Sequence, residues 1–213
     1  MFSRHDLVWL TPAGWAAALA HAPHPALHAW RDHDRPAVVR RHEEGASDAT
    51  VCLGIPLPDA FGLRQRVALV SQAGHVARHA LPLPLADALA AAPPAWLAGL
   101  VALQRALHGC DLRVYGSLAM TAWTGQPYLR PASDIDLLLR PATQAELDAA
   151  VTLFEHHAQL LPLDGEIVFP SGEAVAWKEW LAARRARARV LVKSVSTVRL
   201  ADPADLAATL PAA

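Results

Sequence analysis

Asp134 and Asp136 lie two residues apart in Ser133-Asp134-Ile135-Asp136-Leu137-Leu138-Leu139. In a strand, side chains alternate between faces, so both carboxylates project from one side while Ile135, Leu137 and Leu139 point into a core. Two carboxylates about 7 Å apart, twice the strand rise, repel each other when both are ionised. A hard divalent cation relieves that repulsion, and Mg²⁺ is usually held by one or two carboxylates plus substrate phosphates. The chemistry predicted is metal-assisted attack on a phosphate. Upstream, Gly116-Ser117 follows Asp111-Leu112-Arg113-Val114-Tyr115. Glycine admits close backbone approach, amides at a helix start favour phosphate, and Ser117 adds a hydroxyl donor. Alone, each motif is ambiguous, since most Gly-Ser pairs are only turns and strand-end carboxylates are often solvated. The combination of strand, Gly-Ser, helix and Ser-Asp-Ile-Asp is much more specific.

These motifs need elements to hold them. Asp111 to Tyr115 reads as a strand running into the Gly-Ser turn, and Leu118 to Trp123 as a short helix ended by Gly125. Ala95 to His108 has helical periodicity, with Gly109 as its stop. Thr143 with Glu146 three residues on is a capping-box signature for a helix over 144–158. Leu163 to Phe169 reads as a strand, Trp177 to Arg187 as a helix, and Val190 to Leu200 as strand-like. Near the N-terminus, Thr11 caps a helix opened by Pro12. Residues 36–41, 50–55 and 66–70 read as short strands. Gly54-Ile55-Pro56-Leu57-Pro58 is expected to lie outside any long regular element, because its prolines remove ladder donors. The Pro-rich seam Leu81-Pro82-Leu83-Pro84, then Pro93-Pro94, sets the expected boundary between an accessory domain over 1–84 and a catalytic domain over 85–213. The fold class is therefore α+β, a small N-terminal α+β module plus a mixed sheet flanked by helices.

The bulk properties exclude several classes. At 213 residues the chain holds one large domain or two small ones, and its 53% hydrophobic content supports a real core. A formal net charge of −1 argues against a nucleic-acid binder, which needs a broad basic field. The apolar runs fall short of a membrane span, and Met1 to Asp6 shows no signal pattern. Cys52 and Cys110 are isolated, with neither a disulfide framework nor zinc spacing, so a cytoplasmic location is expected. Lys178 and Lys193 are the only lysines, a scarcity that codon bias explains without function.

Gly116-Ser117 followed by Asp134-Ile135-Asp136 resembles the nucleotidyltransferase superfamily, whose best-known fold is the polymerase-β palm. That resemblance implies Mg²⁺ on Asp134 and Asp136 and a third acid on a later strand. Asp164 and Glu166 both qualify, being two apart on one strand face. The interval from Ser117 to Asp134 is longer than usual, which leaves the length of the helix between the motifs open. A narrower similarity runs through Arg4-His5-Asp6-Leu7-Val8-Trp9-Leu10, Tyr115-Gly116-Ser117, Trp123-Thr124-Gly125, Tyr128-Leu129, Ser133 to Leu138, Leu163-Asp164-Gly165-Glu166-Ile167 and Ala174 to Glu179. Together these look like malonate decarboxylase holo-[acyl-carrier-protein] synthases, the phosphoribosyl-dephospho-CoA transferases. The similarity implies transfer of phosphoribosyl-dephospho-CoA from 2′-(5″-triphosphoribosyl)-3′-dephospho-CoA to a serine of the apo acyl carrier protein of malonate decarboxylase, with release of pyrophosphate. Ser117 and Gly116 would then bind phosphates, Lys193, set in an apolar strand-like run, is read from the sequence itself as a further phosphate ligand, and no tightly bound organic cofactor is expected.

Other residues have competing readings. Arg184-Arg185-Ala186-Arg187-Ala188-Arg189 is either a solvated helix end or a phosphate clamp or carrier-protein landing site. The tryptophans are expected to fill core space, with Trp9 and Trp123 as alternatives for stacking on adenine. Adjacent His156 and His157 point to different parts of a helix surface, which disfavours a shared zinc site. The rival functions are a nucleotidyltransferase acting on the citrate-lyase carrier protein or a small molecule, and a non-catalytic carrier-protein-binding module. Acceptor labelling separates the first from the main reading, and an unaffected Asp134→Ala variant would favour the second.

Overall fold

In a computed structural model, residues 2–47, 49–58 and 65–212 are described, residue 65 by its backbone alone. The chain is α+β and divides into two units, Met1–Pro82 with Gln126–Tyr128, and Leu83–Gly125 with Leu129–Ala213. No helix among the described residues is long and apolar enough to cross a membrane.

The first unit comprises β1 (Leu7–Leu10), α1 (Pro12–His21), α2 (Pro25–Asp32), β2 (Ala37–Val39), β3 (Thr50–Leu57), β4 (Gln65–Gln72) and β5 (Val76–Ala80). Among its described residues, five strands run in the order β4-β3-β2-β1-β5 with antiparallel pairs throughout. Thr11 caps α1 as its sequence predicts, its hydroxyl accepting from Gly14 N at 3.1 Å. Tryptophans are used as buried bodies with a polar tip. Trp9 Nε1 donates to Asp34 O at 2.8 Å and Trp30 Nε1 to Pro36 O at 3.0 Å.

The expectation for Gly54 to Pro58 is overturned, since β3 runs unbroken to Leu57 and Pro56 pairs with Arg66. Pro56 O accepts the Tyr128 hydroxyl at 2.9 Å, so this residue turns its N and O edge away from β4. On that side β2 pairs only as far as Gly54, so no ladder donor is missing.

The second unit comprises β6 (Leu83–Pro84), α3 (Leu85–Ala88), α4 (Pro94–Ala106), β7 (Asp111–Val114), α5 (Gly116–Thr124), β8 (Ile135–Arg140), α6 (Gln144–His157) and β9 (Leu163–Val168). It continues with β10 (Ala174–Ala176), α7 (Trp177–Ala186), β11 (Val190–Lys193), β12 (Val198–Ala201) and α8 (Pro203–Ala207). Seven strands run in the order β12-β11-β10-β9-β8-β7-β6, and the β8–β9 pair is parallel while the others are antiparallel. A parallel pair needs a crossover, which α6 supplies. Leu147, Val151 and Phe154 of α6 and Trp177 and Trp180 of α7 join Ile135, Leu137, Leu139, Leu163 and Ile167 in one buried cluster. This is the strand alternation read from the sequence.

Thr143 Oγ1 accepts from Glu146 N at 3.1 Å, while Glu146 Oε2 accepts from Ala142 N at 3.1 Å, one residue before the position a standard capping box uses. Val190 to Leu200 is a hairpin rather than one strand. Ser194 Oγ accepts from Thr197 N at 2.9 Å and closes its turn. The long interval between Ser117 and Asp134 is loop: α5 stops at Gly125, whose φ of 66° suits glycine at a helix end.

Candidate functional site

Tyr115 N donates to Asp136 O at 3.0 Å, carrying the β7–β8 ladder one step past Val114↔Leu137. Gly116 is thereby delivered against the Asp136 side chain. Its φ is +66°, and a Cβ there would lie 1.9 Å from Asp136 Oδ2 and 2.9 Å from Asp136 Cγ. Both the backbone and the contact therefore require glycine. Ser117 follows in the first turn of α5, half-buried, and the N-cap residue Tyr115 makes no side-chain capping bond to that turn.

Asp134 is exposed, one residue ahead of β8, and Asp136 is half-buried within it. The turn before them is closed by Ser133, which is 3% exposed. Its Oγ accepts from Arg130 N at 2.9 Å and its N donates to Arg130 O at 2.9 Å. Motif reasoning alone gives Ser133 no role of its own. The signal that could have found it is Arg130-Pro131-Ala132-Ser133, with proline at the second turn position.

Ile135 N donates to Pro162 O at 2.9 Å, and the parallel register then sets Asp136 beside Asp164 and Leu138 beside Glu166. Strands are about 4.8 Å apart, so Asp136 and Asp164 are direct neighbours, with Glu166 one pleat further along. Gly165 separates the two acids. Its φ is +131°, and a Cβ there would lie 2.0 Å from Leu137 O. A glycine inside a strand is the sequence mark of such close backbone approach.

The two acids have different surroundings. The Asp164 side chain is 43% exposed, with Lys178 Nζ at 3.6 Å, whereas Glu166 is 6% exposed and accepts from Lys193 Nζ at 3.4 Å. Thus Gly116, Asp136 and Asp164 come together, Asp134 stands just ahead of them, and Glu166 with Lys193 lies deeper. Among the described residues, no group of three or more His, Cys, Asp and Glu side chains is placed to hold a metal ion.

The arginine run is largely engaged within its own unit. Arg184 pairs with Asp148, Arg185 reaches both Glu155 oxygens at 2.8 Å, and Arg189 donates to Leu200 O at 2.7 Å. That favours the helix-end reading over a phosphate clamp. Trp9 is 7% exposed, with the Arg78 guanidinium 4.4 Å from its ring centre, which leaves its face unsuited to adenine. His157 is held below the usual histidine range by burial and by His156, whose ring is 5.5 Å away.

The phosphoribosyl-dephospho-CoA transferase MdcG N-terminal domain family matches residues 3–82, and the corresponding C-terminal domain family matches residues 84–204. A phosphoribosyl-dephospho-CoA transferase from Xanthomonas campestris pv. campestris is 40% identical over 204 residues, covering 94% of each chain. One from Bradyrhizobium diazoefficiens is 38% identical over 211 residues, covering 93% of this chain and 89% of its own. One from Klebsiella pneumoniae is 32% identical over 191 residues, covering 85% and 87%. No solved structure matches. Both units are thus accounted for by one enzyme family, and this chain belongs to the phosphoribosyl-dephospho-CoA transferases of the MdcG type.

Proposed function

We propose that this chain transfers phosphoribosyl-dephospho-CoA from its 2′-(5″-triphosphoribosyl) precursor to a serine of the malonate decarboxylase acyl carrier protein, releasing pyrophosphate. The observation that carries the reading is Asp136 beside Asp164 on parallel strands, with Gly116 pressed against the Asp136 carboxylate. In the transfer, the serine oxygen bonds to the phosphorus next to the ribose and the bond from that phosphorus to the pyrophosphate oxygen breaks. The serine proton passes to water or to a carboxylate of the site.

The donor set fits Mg²⁺. Asp136 and Asp164 offer hard oxygens on neighbouring strands, Asp134 lies just ahead of them without completing a three-carboxylate cluster, and glycine at 116 leaves the Asp136 carboxylate a place that any Cβ would fill. An open set of carboxylates suits an ion whose other ligands are phosphates and waters. When bound, the ion supplies charge that offsets what develops on the leaving pyrophosphate. Gly116 and Ser117 present the uncapped start of α5 to the terminal phosphates. Lys193, tied to Glu166, adds positive charge on the same sheet face.

The test is intact-protein mass spectrometry of apo carrier protein incubated with this protein, Mg²⁺ and the triphosphate donor. A mass gain of one phosphoribosyl-dephospho-CoA, abolished by EDTA, is expected. The citrate-lyase carrier protein run alongside distinguishes the acceptors. No gain on the malonate carrier protein with folded components overturns the assigned acceptor.

A further inference from the structure

Asp164 and Glu166, on either side of Gly165, each face one of the chain's two lysines, and every other cationic side chain of the Lys/Arg type is an arginine. The two pairs are unequal. Lys193 is 33% exposed against a 6% exposed Glu166, whereas Lys178 is 55% exposed against a 43% exposed Asp164. Drawing Lys193 toward a ligand would take charge away from a buried carboxylate, which is costly. Drawing Lys178 away from Asp164 breaks a 3.6 Å pair in contact with water, a kind that contributes little, and loosens a contact with the Trp177 ring, whose centre lies 5.7 Å from Nζ.

The backbone determines where Lys178 stands. β10 pairs with β9 through Ala174↔Val168, Val175↔Ile167 and Ala176↔Glu166. Continuing that count places Lys178 opposite Asp164, where the chain has already left the ladder to begin α7. Lys178 therefore occupies the first helical turn, where a cation works against the helix dipole. A weak pair with Asp164 is slight compensation for that position; a larger anion beside it is a better one. Lysine also suits such a role better than arginine, because its flexible stem carries a compact charge that can pivot between two oxyanions.

We propose that Lys178 is the residue that grips the donor's triphosphate. At rest it lies against Asp164, and with donor bound it moves to the phosphates and leaves the Asp164 carboxylate open to a cation. The phosphate class follows from the site, while the identity of the donor rests on the transferase reading above.

The experiment is calorimetric titration of inorganic tripolyphosphate into the full chain in EDTA, with Lys178→Ala and Lys178→Arg beside wild type. The same three proteins go into the carrier-protein mass assay, and their melting temperatures check the fold. Loss of a charge-assisted phosphate contact weakens tripolyphosphate binding by about ten- to a hundredfold in Lys178→Ala. The donor KM rises in parallel, kcat changes less, and Lys178→Arg restores most of the binding. A folded Lys178→Ala protein that binds tripolyphosphate as wild type does overturns the inference. If such a protein coexists with normal wild-type transfer, the transferase reading stands and only the role of Lys178 falls. If wild type transfers nothing while Lys178→Ala still loses tripolyphosphate binding, the phosphate site stands and the acceptor reading falls.

Discussion

Asp6, just ahead of β1 in the first unit, and Asp164, within β9 in the second, both stand at a strand start, yet their surroundings differ. Asp6 has a side chain 2% exposed, and its Oδ2 accepts from Ser3 N at 2.8 Å and lies 2.8 Å from His79 Nε2. Asp164 is 43% exposed and stands beside another carboxylate, with one loosely held lysine. The sheets explain the contrast. Antiparallel pairing in the first unit lets single side chains find partners across a ladder. The parallel β8–β9 junction in the second brings two strand starts to one edge, so acids placed early in each strand are brought side by side. A carboxylate enclosed by fixed partners serves the fold, whereas carboxylates crowded together and open to water favour a cation.

The largest effect that tests this contrast is on Asp136. Asp136→Asn should lower transfer by about a hundredfold or more, and Asp134→Asn should do the same. Neither should lower the melting temperature, because like-charge repulsion is relieved. Near wild-type transfer by either variant would remove the proposed site.

Gly165→Ala comes next. It places a methyl 2.0 Å from Leu137 O at a φ of +131°, and should cost about 3 kcal/mol or more. Thermal unfolding reads this directly, and an unchanged melting temperature would mean that the β8–β9 register can shift. Asp6→Ala should cost about 1–3 kcal/mol through lost buried hydrogen bonds while kcat stays near wild type. A collapse of kcat at unchanged stability would show that Asp6 is not the structural counterpart of Asp164.

The smallest effect concerns Glu146, a carboxylate of the second unit that serves the fold as Asp6 does. Burial first, then a hydrogen bond and charge from Glu146, push the Cys110 thiol up to about 11 from 9.0. Only the thiolate is nucleophilic, so alkylation of Cys110 near neutral pH should run about a hundredfold slower than for an unshifted thiol. Glu146→Gln should recover part of that rate. Equal rates for Cys110 and a free thiol would contradict the fold-serving role of the half-buried Glu146.

Local patterns are legible in the amino-acid order alone. Alternation puts Ile135, Leu137 and Leu139 inside, and Thr11 and Thr143 mark helix starts through side-chain chemistry acting within a few residues. Pairing across the chain is not legible in this way. The choice between Asp164 and Glu166 as the neighbour of Asp136 depends on a parallel register anchored by Ile135 and Pro162, and strand alternation treats both acids alike. Pro56 defies its sequence expectation for the same kind of reason: whether a proline harms a strand depends on which edge faces a neighbour. The pairing of Lys193 with Glu166 also depends on partners 27 residues apart.

The loop after Gly125 bears on how this protein can be divided in the laboratory. Gln126–Tyr128 packs with the first unit, and Tyr128 is held there by Pro56 O, although the residues on both sides belong to the second unit. A truncated protein starting at Leu83 would carry that strip without its anchor, only a few residues ahead of Arg130 to Asp134. Its loss of activity would therefore say nothing about whether the first unit touches substrate. Supplying residues 1–82 as a separate polypeptide is the more informative cut, because it restores the Pro56 acceptor and tests modularity by complementation.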